Sequence, residues 1–264
     1  MPLITQIVPS TWQELEIGVR DILAECGMDA ERQVQIPLVR GGADVDVLAT
    51  DEAHGIRSVI ICECKYWDSN LPQAVAHAFR TVVADSGANR GYIISRRGFQ
   101  AGTYEAVANT NVELLTYAEF QERFFERWYR SRVGEMENAI GQFNVYYEPL
   151  GIPGMGRLLD AGDEAAADAY YAVWKKYLFA GLMLQRFSPY LMLFRQGKIA
   201  ELPIELPMSP EGEPLVVPDD VREAKGYREL FQRLTAYGLE GLRELRSHNP
   251  VTRGVPEDQV ESDD

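Results

Sequence analysis

The sequence predicts an α/β protein in which a mixed β-sheet flanked by helices occupies the first half and a mostly helical region follows. Three observations lead there. Val59-Ile60-Ile61-Cys62-Glu63-Cys64-Lys65 is a nearly continuous apolar run of strand length, as expected in a sheet covered on both faces. A stretch of helical periodicity after it leads to a second apolar run, Tyr92-Ile93-Ile94, which is the pattern of a strand, a crossover helix and a neighbouring strand. Beyond the composition break Pro149-Leu150-Gly151-Ile152-Pro153-Gly154-Met155-Gly156 the apolar spacing is helical only.

Element by element, Ser10 or Thr11 followed by Gln13 or Glu14 is an N-cap signal, and it opens a helix that runs to about Cys26 before Gly27. Strands are expected at 33–39, 44–49 and 59–65, the last two joined by the polar turn Thr50-Asp51-Glu52-Ala53-His54-Gly55 as an antiparallel hairpin. Leu71-Pro72 starts a helix through roughly Ser86 with Ala74, Val75, Ala78, Phe79, Val82 and Val83 as its apolar stripe. A strand at 91–95, a short helix at 102–109 and a strand at 112–115 complete the sheet. Residues 117–143 form one long or two broken helices with Phe120, Phe124, Phe125, Trp128 and Tyr129 as core or bridging residues. Helical zones at 163–187 and 219–246, separated by the proline-rich segment 202–218, carry Trp174, Tyr177, Phe179, Met183 and Leu184 as core. The expected division is a sheet-containing domain over 1–145, a helical region over 146–255 and a disordered acidic tail over 256–264.

Composition bounds the function. With 264 residues, 46% hydrophobic and 25% charged, the chain has enough apolar material for a packed core and is not disordered overall. Its longest apolar stretch, Tyr177 to Leu184, falls far short of the roughly 20 residues a membrane-spanning helix needs, and Met1-Pro2-Leu3-Ile4-Thr5 lacks the features of a signal peptide. A cytoplasmic protein without membrane association is expected. Cys62 and Cys64 alternate onto the buried side of one strand, so they read as core thiols; no second cysteine pair or histidine cluster accompanies them to make a zinc site. His54 is expected in a turn and His77 on a helix surface. The net charge of −14 argues against nucleic-acid binding. Local basic groups oppose it: Arg90, Arg96 and Arg97 flank the strand at 91–95, and Arg123, Arg127, Arg130 and Arg132 recur at helical spacing. Intrahelical pairing with Glu119, Glu122 and Glu126 is the expectation for the second group.

Chemistry concentrates at Glu63-Cys64-Lys65. Period-two geometry puts Glu63 and Lys65 on one face of a core strand, and an unpaired buried charge costs about 3–5 kcal/mol, so something must sit opposite. Antiparallel pairing with Ala43-Asp44-Val45-Asp46-Val47-Leu48-Ala49 brings Asp46, and with it Asp44, to that face. Hard carboxylate oxygens in this number suit magnesium, with manganese as a substitute, completed by substrate phosphate oxygens. Lys65 would then orient or deprotonate the attacking water. The same three charges also suit a buried ion-pair network without chemistry.

Beyond these charges, residues 10–120 resemble the Mrr-type restriction endonuclease domain of the PD-(D/E)xK nuclease superfamily. Leu15-Glu16, Ile22-Leu23 and Gly27 stand in the register of that family's opening helix. Gly41-Gly42-Ala43-Asp44-Val45-Asp46-Val47-Leu48-Ala49 is similar to its metal strand, in which three apolar residues follow the Asp, and this selects Asp46 over Asp44. Glu63-Cys64-Lys65 fills its Glu-or-Gln, any residue, Lys position. Asp85 to Ser95 followed by Gly98-Phe99-Gln100-Ala101-Gly102 resembles its last block. Many members carry Gln where Glu63 stands, and no Pro precedes Asp46. The resemblance implies a restriction-endonuclease-like fold and a magnesium-dependent endonuclease that restricts foreign DNA. It assigns Asp46 and Glu63 to the metal, Glu16 to a second metal or its waters and Lys65 to water activation; Arg96 and Arg97, as phosphate-gripping guanidinium groups, and Gln100, placed beside the site, are the expected substrate contacts. A homodimer would allow both strands to be cut, and the C-terminal region would serve a protein partner or regulation. The competing reading is a nuclease-like scaffold that binds nucleic acid without cutting it.

Overall fold

Thr11 starts the first helix as the capping pattern predicts. Its hydroxyl accepts the Glu14 N–H at 3.2 Å, while the Glu14 carboxylate accepts from both the N–H and the hydroxyl of Ser10 at 2.7 Å. This reciprocal cap fixes α1 (Trp12–Glu25) in the computed structural model, which describes residues 4–147, 151–187, 199, 201–204, 212 and 214–254. Two compact units divide the chain, Met1–Arg132 and Val133–Asp264.

In the first unit α1 ends at Cys26, and Gly27 turns the chain at φ +79°, a value that favours glycine. Strands β1 (Asp29–Pro37), β2 (Gly42–Asp51) and β3 (Ser58–Lys65) follow as an antiparallel meander. Helix α2 (Gln73–Ser86) crosses to β4 (Arg90–Ser95), and α3 (Ala101–Val107) crosses to β5 (Val112–Thr116), both parallel additions. The five-stranded sheet has the order β1-β2-β3-β4-β5, so the predicted mixed sheet flanked by helices is the observed fold.

Two local expectations are corrected. β1 begins four residues earlier than expected, because Gly27 delivers the chain directly into pairing of Asp29 with Thr50. Asp29, Glu31, Gln33 and Gln35 are exposed on this edge strand, so its start carries no apolar alternation. In α2 the buried stripe is Ala76, Phe79 and Val83, whereas Ala74 and Ala78 face solvent. Gly91 explains this rotation: a Cβ there would lie 2.5 Å from Val83 Cγ2 and 2.9 Å from Phe79 Cε1, so the helix seats those two side chains on the bare backbone of β4.

Residues 117–147 form two helices, α4 (Tyr117–Ile140) and α5 (Phe143–Tyr147). Phe120 and Phe124 meet Tyr92 edge-on at 5.9 and 5.5 Å, which is how α4 covers the sheet. The predicted intrahelical pairing is found for Arg130 with Glu126 at 2.6 Å. Arg123 binds Glu113 of β5 and Arg127 binds Asp51 of β2 instead, because this face of α4 lies against the sheet.

In the second unit α7 (Glu164–Phe187) matches the first predicted helical zone and α8 (Asp219–Arg222) with α9 (Tyr227–His248) the second, whereas the short α6 (Met155–Asp160) lies ahead of both, overlapping the end of the expected linker. Tyr170, Tyr177, Phe179, Phe187, Phe231 and Leu234 are buried, as are the predicted Met183 and Leu184; Trp174 is only half-buried and donates its indole N–H to Tyr146 O at 2.8 Å. Gly241 lets α9 approach α7, since a Cβ there would meet Tyr177 Cδ1 at 2.6 Å. The expected tail 256–264 lies outside the described residues, as do 205–211 and 213 of the proline-rich segment. No described helix is long and apolar enough to cross a membrane.

Candidate active site

The β2–β3 ladder ends at Val47 opposite Cys62, while β3 continues beside β4 as far as Lys65 opposite Ser95. Where β2 leaves, the side chain of Asp46 takes over: its Oδ2 accepts the Cys64 N–H at 2.7 Å. Three functional groups predicted from the sequence meet there. Lys65 Nζ contacts Glu63 Oε1 directly and lies 3.9 Å from Asp46 Oδ2, and all three side chains are between 20% and 23% exposed. Period two places Glu63 and Lys65 on the face of Ile61, which is packed in the core beneath α2, while Cys62 and Cys64 are buried on the other face. Asp44 is exposed, so Asp46 is the aspartate that joins the site.

Electrostatics in this group are unbalanced. Burial, then the charge of Glu63, pushes the Asp46 carboxyl up to about 6, against the opposing pull of the Cys64 N–H and Lys65. Burial pulls the Lys65 ammonium down, but the hydrogen bond and charge of Glu63 together with the charge of Asp46 outweigh it and leave the group above its ordinary value. One ammonium therefore serves two carboxylates, one of which is held in an unfavourable ionised form.

Glu16 is nearly fully buried at 3% exposure and is held by β1. Arg32 Nη2 donates to its Oε2 at 2.8 Å, and Gln33 Nε2 donates to both oxygens at 2.9 and 3.0 Å. Gln33 stands at φ +54°, between the paired residues Arg32 and Val34, a left-handed conformation that costs a non-glycine residue about 1–2 kcal/mol. Sequence reasoning missed Arg32 and Gln33. Their polar character on an edge strand carries no signal, and only the backbone reversal shows that Gln33 is turned onto Glu16.

Among the described residues, no three His, Cys, Asp or Glu side chains converge closely enough to hold a metal ion by themselves. The pair Asp46 and Glu63 offers hard oxygens around a cationic Nζ, and this donor set fits a divalent cation that keeps several waters.

The three predicted substrate residues surround the end of β4. Arg96 donates its backbone N–H to Lys65 O at 3.1 Å, placing it beside the site, and Arg97 next to it is exposed. Gln100 is exposed at the N-cap of α3 without a side-chain capping bond, and Gly98 serves turn geometry at φ +103°. His77 is exposed, and His54 falls in the 3-10 turn Ala53–Gly55.

Comparison with known proteins places this geometry. Residues 8–124 match the family model Mrr_cat, described as restriction endonuclease. No curated protein matches the chain in sequence. Among solved structures it is similar to AF1548, a protein of unknown function, at 13% identity and TM-score 0.36, over 50% of this chain and 83% of that one. It is also similar to the DNA modification-dependent restriction endonuclease AspBHI, at 14% identity and TM-score 0.27, over 46% of this chain and 36% of that one. The restriction endonuclease MspJI in complex with a 27-mer oligonucleotide is matched at 13% identity and TM-score 0.31, over 54% of this chain and 34% of that one. The chain thus spans about a third of the length of those two enzymes. Taken with the order of the Glu16, Asp46, Glu63–Lys65 and Gly98–Phe99 elements, the family match identifies residues 8–124 as an Mrr-type restriction endonuclease domain of the PD-(D/E)xK superfamily.

Proposed function

We propose that this protein is a divalent-metal-dependent endonuclease that hydrolyses phosphodiester bonds of DNA, acting in the cytoplasm in restriction of foreign DNA. The observation that carries the proposal is the convergence of Asp46, Glu63 and Lys65 where β2 leaves β3, within a restriction endonuclease domain. Asp46 and Glu63 would hold magnesium, or manganese in its place. Bound there, the ion would supply Lewis-acid polarisation of a phosphoryl oxygen and a more acidic water. Lys65 would orient the attacking water and offset charge on the pentacovalent phosphate. Glu16, held by Arg32 and Gln33, would support a second metal or its waters. Arg96, Arg97 and Gln100 contact the substrate strand beside Lys65. Two copies of the chain supply the two cuts of a duplex, and the second unit provides regulation or a partner surface.

The test is cleavage of plasmid and phage DNA by purified protein with magnesium, manganese or EDTA, beside Lys65→Ala and Asp46→Ala. Metal-dependent nicking that falls by about 100-fold or more in both variants is the expected result. Cleavage that persists in EDTA or survives both substitutions refutes the assignment.

A further inference from the structure

We propose that Arg96 is an exchangeable anchor for a backbone phosphate of bound DNA, and that Asp68 holds it in competition with that phosphate; the inference rests on the nuclease reading above. The arginine is pre-positioned. β4 ends at Ser95, fully buried, whose hydroxyl accepts the N–H groups of Arg97 and Gly98 at 3.3 and 3.0 Å and donates to Gly98 O at 3.0 Å. That turn and the Arg96 N–H bond to Lys65 O fix the Arg96 backbone next to the reacting centre. The guanidinium carbon sits over Tyr66, 4.5 Å from the ring centroid, and the Tyr66 hydroxyl itself donates to Pro9 O at 3.3 Å. Contact with the ring holds the guanidinium while leaving its N–H edge able to pair with an oxyanion.

That edge is occupied by Asp68. Arg96 Nη1 lies 2.5 Å from Asp68 Oδ1, with the carboxylate 84% exposed and the arginine 36% exposed. So exposed a pair is readily broken, and a phosphodiester presents two oxygens to the same fork. The arginine also lines a cleft of about 390 Å³ with Thr5, Gln6, Val8, Tyr117 and Gln121. In a chain of net charge −14, a carboxylate seated on the guanidinium makes this contact available only to a phosphate that the neighbouring site already positions.

The test is fluorescence anisotropy of a labelled DNA duplex with the full chain in EDTA over a salt series, for wild type, Arg96→Gln and Asp68→Asn. Arg130→Gln and Glu126→Gln, which remove the same charges from an exposed pair on α4, serve as controls. Arg96→Gln should weaken binding about 5- to 10-fold and reduce the slope of log K against log salt by roughly 0.9. Asp68→Asn should tighten binding about 2- to 5-fold, and the controls should move it by less than about twofold. If the wild type cuts with metal but does not bind in EDTA, the same fold-changes are read in KM of cleavage, with kcat measured alongside. An unmoved Arg96→Gln, or an Asp68→Asn effect no larger than that of Glu126→Gln, overturns the anchor while plasmid cleavage by wild type leaves the nuclease reading intact. Binding that depends on both residues without any cleavage supports the anchor and overturns cleavage, and a wild type that neither binds nor cuts overturns both.

Discussion

Asp46→Asn separates the cost of the site from its use. The Asp46 carboxyl has an ordinary value of 3.8 and is pushed up to about 6 in the fold by burial and by Glu63. For an acid whose folded value is raised, the folded state binds more protons than the unfolded state between these two values. Stability therefore falls as pH rises from about 4 to 6, and the full cost stands above pH 6. At about 1.4 kcal/mol per pH unit the gap corresponds to an upper limit near 3 kcal/mol. The side chain is 20% exposed and solvent relaxation reduces the penalty, so a gain of about 1–2 kcal/mol is expected at pH 8 for the variant. The amide keeps an oxygen for the Cys64 N–H, so the capping bond of 2.7 Å survives the change. Urea unfolding followed by tryptophan fluorescence in EDTA, at several values between pH 4 and pH 8, reads this directly. The stability difference should be near zero at pH 4, grow to pH 7 and then level, and added manganese should stabilise wild type but not the variant. A variant no more stable than wild type at pH 8, or a difference independent of pH, refutes the electrostatic reasoning.

Three further outcomes test the scaffold around the site. Glu16→Ala removes the acceptor of Arg32 and Gln33 and should cost about 2 kcal/mol of stability in urea unfolding, less than a fully buried pair because Arg32 is 26% exposed. Gly91→Ala forces a methyl against Val83 and Phe79 and should cost about 1–3 kcal/mol, with a lowered midpoint in thermal melts. Burial pushes the Cys26 thiol up to about 12 and raises those of Cys62 and Cys64 as well, so the three thiols should resist an aromatic disulfide reagent at pH 8 in the folded protein and all react in urea.

How far the sequence foretold this arrangement depends on whether a residue's environment is local. Glu63 and Lys65 were legible because two charges on one face of an apolar strand require an explanation, and Asp46 followed from antiparallel pairing of its run with theirs. The capped start of α1, the crossover helices and the parallel strands were legible for the same reason, since each rests on short-range spacing. Gln33 was not, because a positive φ in a strand is imposed by contacts with Glu16 seventeen residues away in the chain and leaves no compositional trace. The rotation of α2 depends on Gly91 offering a bare backbone to Phe79 and Val83, a contact no helical periodicity encodes. Arg127 was read as an intrahelical partner and instead reaches Asp51, because tertiary proximity wins over the weak energy of an exposed i to i+4 pair.

The same distribution of arginines resolves the tension between an acidic chain and a polyanionic substrate. Arg20, Arg32, Arg90, Arg123, Arg127 and Arg130 of the first unit are all engaged with carboxylates, so they do not form a broad basic surface that would attract any nucleic acid. A nucleic-acid substrate, as proposed, would then be drawn by the site itself, where Asp46 and Glu63 share one ammonium and a bound cation would offset their charge as a phosphate approaches. In the nuclease proposed here, weak general attraction would limit adventitious contact with nucleic acid and leave the site and the Arg96 fork to select a phosphate.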